Sequence, residues 1–305
     1  MRHFIDLCDW SSEDLREILN LALTLKDEWR SGGNRPILQG KALAMIFQKP
    51  SLRTRISFEM AMQHLGGHAL YIAPDEIGLG KRESVGDVAR VLSGYVQGIM
   101  ARVFAHRDVI DLARYASVPV INGLSDASHP CQALADILTI RERFGRTDGL
   151  RIAFVGDGNN VAASLMEAAA HFGIHFTIAT PPGYELPEIE VDRAAQIAEK
   201  NGVKIEMMHD RMEAVRGADV IYTDTWVSMG QEAETAKRVE VFKAYQVNDE
   251  LVALAAPDAI VLHCLPAHRG QEITDSVADG EHSAIFQQAE NRLHAQKAVL
   301  VTLMG

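Results

Sequence analysis

Short apolar runs, each followed by a stretch with helical spacing, recur from one end of this chain to the other. In the first half the runs cover residues 42–47, 69–72, 98–104 and 118–121. In the second they cover 151–155, 174–179, 204–208, 220–223 and 259–263. Apolar residues between the runs return every three or four positions, as in Ile56 with Met60, and Phe58 with Met62 and Leu65. Buried strands alternating with helices predict parallel strands joined by crossovers, because a parallel sheet is covered on both faces. The predicted helices follow serine caps at Ser11 or Ser12, Ser51 and Ser84, and Pro130 at a first helical position. The others fall at 108–116, 161–172, 191–200, 212–216 and 234–245. The alternation pauses once, at the polar segment 145–149. The expected fold is therefore α/β: two doubly wound parallel-sheet lobes with an interdomain cleft, and a C-terminal helix crossing back to the first lobe. The expected domains are 1–145, 146–282 and, for that helix, 283–305.

With 305 residues the chain exceeds what one core usually serves, which agrees with two domains. A net charge of −11 argues against a general nucleic-acid or anionic-membrane surface, while leaving room for a concentrated cationic pocket. No stretch approaches the ~18 unbroken apolar residues of a membrane span, and the N-terminus lacks the apolar core of a signal peptide. Three scattered cysteines, Cys8, Cys131 and Cys264, without CxxC spacing, imply reduced thiols and a cytoplasmic location.

In open parallel sheets ligands lie beyond the carboxyl ends of the strands, and polar clusters fall there repeatedly. Ser51-Leu52-Arg53-Thr54-Arg55 follows the first strand and opens a helix. A capping hydroxyl, free backbone N–H groups, a second hydroxyl and two guanidiniums at a helix N-terminus suit a phosphate-like dianion. Arg102 ends the third strand, and His129-Pro130-Cys131-Gln132 follows the fourth. In the second half come Gly156-Asp157-Gly158-Asn159-Asn160, the segment from Asp224 to Gly230, and His263-Cys264-Leu265-Pro266. Singly, each has an ordinary explanation: Arg102 as a surface ion pair, Cys131 and Cys264 as inert buried thiols. Gly156-x-Gly158 lacks the third glycine of a dinucleotide loop. Together, the first half supplies cations and donors, and the second supplies Asp224 with amides that suit an amine.

The set Ser51-Leu52-Arg53-Thr54-Arg55, His129-Pro130-Cys131-Gln132, Asp224 with Ser228-Met229-Gly230, and His263-Cys264-Leu265-Pro266 resembles the signatures of the ornithine carbamoyltransferases, in family order and over essentially the whole chain. Ser-x-Arg-Thr-Arg alone marks the wider carbamoyltransferases, the aspartate enzymes included. Ser228-Met229-Gly230 with His263-Cys264-Leu265-Pro266 points to ornithine. The resemblance implies transfer of a carbamoyl group from carbamoyl phosphate to L-ornithine, giving L-citrulline and phosphate, without cofactor, metal or covalent intermediate. It places carbamoyl phosphate on Ser51, Leu52, Arg53, Thr54, Arg102, His129, Pro130, Cys131, Gln132, Cys264, Leu265 and Arg292. It places ornithine on Asn160, Asp224, Ser228 and Met229. It gives the chemistry to Arg102, His129, Asp224 and Cys264, with either Asp224 or Cys264 taking the proton of the amine. It implies a homo-oligomer, a trimer or a multiple of trimers, and arginine biosynthesis as the commoner role. Two positions depart from the pattern. Leu52 stands where a small hydroxyl residue is usual, and Gly78 aligns with a glutamine that a neighbouring subunit usually contributes, with Lys81 and Arg82 nearby as alternative cations. Rival acceptors are putrescine, acylated ornithine and aspartate; Asp224 disfavours the last, which would bring a second carboxylate to it.

Overall fold

The computed structural model describes residues 1–227 and 232–305. Packing divides the chain into two compact units, Met1–Leu138 with Glu290–Gly305, and Thr139–Ala289. The first holds α1 (Ser12–Arg30), β1 (Ala42–Phe47), α2 (Leu52–His64), β2 (His68–Ile72), α3 (Pro74–Ile77), α4 (Val85–Ser93), β3 (Gly98–Arg102), α5 (His106–Tyr115) and β4 (Val120–Leu124). α6 (Pro130–Phe144) begins in this unit and ends in the second, so the polar segment 145–149 follows the helix that leaves the first unit. The second unit continues with β5 (Arg151–Val155), α7 (Asn160–His171), β6 (His175–Ala179), α8 (Glu188–Asn201), β7 (Ile205–Met208), α9 (Arg211–Val215) and β8 (Val220–Thr223). α10 (Thr235–Phe242), α11 (Asp249–Val252), β9 (Ile260–His263) and α12 (Asp275–Ala278) follow. α13 (Ile285–Met304) starts in the second unit, and its residues from Glu290 onward pack with the first. No helix among the described residues is long and apolar enough to cross a membrane.

All strand pairs are parallel, in the orders β2-β1-β3-β4 and β7-β6-β5-β8-β9. Both orders contain one reversal. In the first sheet the chain steps outward from β1 to β2, then returns to β3 on the other side of β1. In the second it runs from β5 through β6 to β7, then returns to β8 beside β5. Loops leaving β1 and β3, and loops leaving β5 and β8, therefore diverge, which opens a crevice at each carboxyl end. The central strand β3 and the end strand β4 are buried throughout, while β2, at the other end, is half exposed. That is why β2 carries the weakest apolar signal of the first four. A cluster including Ile46, Ile99, Ala101, Val109, Leu112 and Val120 fills one side of the first sheet. Ala153, Val155, Ile221, Val261 and Val277 do so in the second.

The expected and observed elements differ most at β4. The run expected over 118–121 stops short: the strand is Val120–Leu124, with Asn122 and Gly123 inside it. Asn122 is tolerated because its Nδ2 donates to the Ile5 carbonyl at 3.0 Å. Gly123 is required because a Cβ there would sit 2.5 Å from Met100 Sδ. The helix expected over 234–245 breaks into α10 flanked by two 3₁₀ turns, Glu232–Glu234 and Lys243–Tyr245. The short helices α3, α11 and α12, four residues each, are below the length at which periodicity is visible.

Candidate active site

At the carboxyl end of β1, Ser51 is extended and its Oγ caps α2, accepting from Thr54 N at 3.3 Å. Arg55 N turns back to Ser51 O at 3.1 Å, and the amides of residues 52 and 53 are left for a ligand, as the first amides of any helix are. Thr54 is buried and forms the hub: its Oγ1 accepts from Arg102 Nη1 at 3.4 Å and from Arg292 Nη2 at 3.2 Å, and meets Ser51 Oγ at 3.2 Å. Arg102 arrives from the end of β3 and Arg292 from α13; both are buried. Arg292 Nη1 donates to Gln132 Oε1 at 2.7 Å, which ties the start of α6 to the same cluster. His129, also buried, has its imidazole held well below the ordinary range, first by burial and then by the charges of Arg292 and Arg102. It is a neutral ring at pH 7, with one N–H to donate.

Two members of the motif behave differently from the expectation of paired guanidiniums. Arg53 is half-buried, and among the described residues its side chain makes no hydrogen bond or ion pair. Arg55 instead is exposed, bonds Glu59 Oε1 at 2.9 Å and lies over the Tyr71 ring at 4.1 Å. The reason is helical spacing: one position beyond Thr54, the side chain turns to the outer face, where an i,i+4 carboxylate meets it. Leu52 is 74% exposed, so only its backbone faces the cap. Pro130 begins α6, and Cys131 is buried with its thiol 3.6 Å from the Asn122 carbonyl. Burial pushes that thiol up to about 12, which makes it inert.

In the second unit the reversal between β5 and β8 gathers carboxylates. Asp224 follows β8 and is buried. Its Oδ2 accepts from Asn159 Nδ2 at 2.8 Å and its Oδ1 from the Cys264 thiol at 3.0 Å. Asn159 caps α7, its Oδ1 accepting from the amides of Val161 and Ala162 at 3.0 Å each, so both ends of the amide are fixed. Asn160, the expected ligand, is half-buried at the first position of α7, while its neighbour Asn159 holds Asp224. Asp157 pairs with the buried Arg238, whose Nε also donates to the Trp226 carbonyl at 2.6 Å. Burial raises the Asp157 carboxyl to about 6, with Arg238 opposing and Asp224 adding to the shift. Ser228 and Met229 lie outside the described residues.

Cys264 and Leu265 follow β9. Leu265 has φ of +58°, a left-handed conformation that costs a leucine about 1–2 kcal/mol. Its N–H donates to His263 Nδ1 at 2.9 Å, so the ring carries its proton on Nε2, which donates to Glu272 Oε1 at 3.1 Å. Asp224, His263 and Cys264 each present one ligand-type atom within 4.8 Å of the others. Both nitrogens of His263 are already engaged in the bonds just given. The structure thus brings Ser51, Thr54, Arg102, His129, Gln132 and Arg292 together in the first unit, and Asp224 and Cys264 together in the second. Asn159, whose amide the sequence groups with that of Asn160 as suited to a zwitterion or amine, takes part by holding Asp224; Asp157 with Arg238, and Glu272, take part without having been assigned a site role from the sequence. Asp157 had a signal, as a strand-end acid; Arg238 and Glu272 had none, because their partners are distant in sequence.

The pattern described as "Aspartate/ornithine carbamoyltransferase, carbamoyl-P binding domain" matches residues 2–142, and that described as the "Asp/Orn binding domain" matches residues 148–303. The chain belongs to the aspartate/ornithine carbamoyltransferase family. Among its relatives, the "Ornithine carbamoyltransferase" of Thermococcus kodakarensis is 56% identical over 304 residues, covering 100% of this chain and 96% of that protein. The "Ornithine carbamoyltransferase, anabolic" of Pyrococcus furiosus is 55% identical with the same coverage. The solved structure of ornithine carbamoyltransferase from Pyrococcus furiosus superimposes with a TM-score of 0.97, covering 100% of this chain and 97% of that one. The two matched descriptions fall on the two sheets: Ser51, Thr54, Arg102, His129 and Gln132 lie in the carbamoyl-P pattern, and Asp224 and Cys264 in the Asp/Orn pattern, which also contains Arg292 of the C-terminal helix.

Proposed function

We propose that this chain is a carbamoyltransferase that moves the carbamoyl group of carbamoyl phosphate to the δ-amine of L-ornithine, giving L-citrulline and phosphate. Residues 1–145 bind carbamoyl phosphate, 146–282 bind ornithine, and the helix over 283–305 returns to supply Arg292. The observation that supports this most strongly is the hub at Thr54, where two buried guanidiniums from distant elements meet a helix N-terminus. Such an arrangement fits a dianion and little else.

Ser51, Arg53, Thr54 and the amides of 52 and 53 hold the phosphate and offset the charge it gains as it leaves. Arg102, neutral His129 and Thr54 donate to the carbamoyl oxygen, which becomes an oxyanion when the amine adds; one such donor is worth about 3 kcal/mol. Gln132 and Arg292 complete this set, with the backbone at Cys264 and Leu265. The attacking δ-amine has a free pKa of roughly 10 and must lose a proton to react. Asp224 binds it as the ammonium and takes up its proton, while the Cys264 thiol donates to the same carboxylate. The new C–N bond forms on the carbonyl carbon, the C–O bond to phosphate breaks, and no covalent enzyme intermediate, metal or cofactor takes part. Asn160, Ser228 and Met229 grip the rest of the amino acid.

The P. furiosus relative carries the word "anabolic" in its name, and this supports arginine biosynthesis as the direction here. We infer a cytoplasmic enzyme that works as a homotrimer or a multiple of trimers. The test is citrulline formation by the purified full chain with ornithine, putrescine, N-acetylornithine and aspartate as acceptors. Ornithine should lead by at least about tenfold in kcat/KM, since putrescine lacks the α-carboxylate, N-acetylornithine lacks the free α-amine, and aspartate would bring a second carboxylate to Asp224. Absence of product with every acceptor would sink the proposal.

A further inference from the structure

The side-chain amide of Gln132 is fixed from both sides. Its Nε2 donates to Asp136 Oδ1 at 2.8 Å, and its Oε1 accepts from Arg292 Nη1 at 2.7 Å. A carboxylate accepts and a guanidinium only donates, so both neighbours demand one orientation of the amide. Asp136 lies one turn further along α6 and is 0% exposed. Filling that space with an apolar side chain would avoid the cost of burying a carboxylate. The cluster ahead of it consists largely of donors: Arg102, Arg292, Arg53 and the first amides of α2. Into it Gln132 presents a carbonyl oxygen, which has a second lone pair besides the one turned to Arg292.

We propose that Asp136 is a specificity-determining positioning residue: by holding Gln132 with its carbonyl inward, it makes the site select an acyl phosphate that bears NH₂ over the isosteric one that bears CH₃. The proposal rests on the carbamoyl-phosphate reading of the first unit. Carbamoyl phosphate has a single donor group, its NH₂; its phosphate and carbonyl oxygens all accept. The donors of the cluster match those oxygens, and Gln132 Oε1 matches the NH₂. Acetyl phosphate has the same outline and leaves that buried oxygen unmet, which a hydrogen-bonding pocket penalises heavily. If the amide of Gln132 turned over, donor would face donor and the discrimination would vanish. A purely structural Asp136 would instead firm up the start of α6, and its loss would weaken every ligand alike.

The test is calorimetry on the full chain with three ligands. Phosphonoacetamide and acetonylphosphonate differ only in NH₂ against CH₃, and inorganic phosphate reports the dianion grip alone. The unaltered protein should prefer the amide on the order of 100-fold. Asp136→Asn should bring the two phosphonates to within about fivefold while phosphate affinity moves by less than about twofold. Asp136→Glu, which retains a carboxylate, should restore most of the preference. In a Gln132→Ala background Asp136→Asn should add nothing to the loss of preference. Retention of the preference in Asp136→Asn, or equal weakening of all three ligands, overturns the proposal. Should Asp136→Asn fail to fold, Asp136→Ser carries the same comparison, and a chain that folds with neither substitution gives Asp136 a structural role only. If the unaltered protein binds none of the three ligands, the carbamoyl-phosphate reading fails instead.

Discussion

Both units place polar groups where their strand order reverses, yet they load the two positions with opposite charge. In the first, buried Arg102 and Arg292 meet on the hydroxyl of Thr54 and the amide oxygen of Gln132, and His129 is forced neutral beside them. In the second, buried Asp224 is held by an amide and a thiol, and Asp157 by Arg238. One sheet topology therefore serves two electrostatic ends. What differs is how each site keeps its charge available. The bonds of Arg102 and Arg292 to Thr54 Oγ1, and of Arg292 to Gln132 Oε1, go to neutral groups, which orient a guanidinium without cancelling its charge. Asn159 and Cys264 do the same for Asp224 with the sign reversed. Arg238 is the contrast: it meets Asp157 with a full opposite charge, whereas Asp224 is held by an amide and a thiol.

Several substitutions sharpen or break this contrast. The largest effect is expected from Arg53→Ala, which removes the guanidinium most open to ligand. It should lower kcat/KM for carbamoyl phosphate by about 10³ and leave the ornithine KM nearly unchanged in steady-state assays. Next comes Asp224→Asn, for which the ornithine KM should rise on the order of 100-fold with the carbamoyl phosphate KM within about twofold. Equal changes in both constants would remove Asp224 from the amine side. Cys264→Ala should cost about tenfold in kcat, the worth of one hydrogen bond to a charged group.

Smaller effects concern stability. The Asp157 carboxyl rises from 3.8 to about 6 in the fold, so the folded state binds its proton more tightly than the unfolded chain does. The stability this proton supplies is fully present below pH 3.8 and is lost as pH rises through about 6. The melting temperature of the unaltered chain minus that of Asp157→Asn should therefore fall by a few degrees as pH rises from 4 to 7. A difference curve that is flat in pH would show that Asp157 titrates normally. Last, Ser51→Ala removes a cap worth about 1 kcal/mol and should lower Tm by only a few degrees, although it also loosens the phosphate end.

How much of this could be read beforehand follows the physics of each signal. Buried parallel strands write themselves as continuous apolar runs, which is why β1, β5 and β8 stand where their sequences predict. The run expected over 118–121 ends before Asn122-Gly123 because tertiary contacts, the Ile5 carbonyl and the Met100 side chain, accommodate these two residues in the strand. The motif residues Ser51, Thr54, Arg102, His129 and Asp224 are legible because they sit at strand ends. Arg292 is legible only through family resemblance, since a lone arginine in a helix carries no local signal. Asn159 also stands in a strand-end cluster, but other partners that orient these groups are silent: Asp136, Arg238 and Glu272 act through contacts that depend on helix phase or on distant loops. Arg55 shows the same limit, because its diversion to Glu59 is decided by one step of helical rotation.

The most direct test of this division is hydrogen–deuterium exchange with each ligand in turn. Carbamoyl phosphate alone should slow exchange at amides 52–58 and 131–134 and leave 159–163 and 224–227 unchanged; ornithine, given with inorganic phosphate so that no transfer can occur, should slow the latter two segments. Protection of 159–163 and 224–227 by carbamoyl phosphate alone, with no change at 52–58, would contradict the assignment of the dianion to the first unit and of the amine to the second.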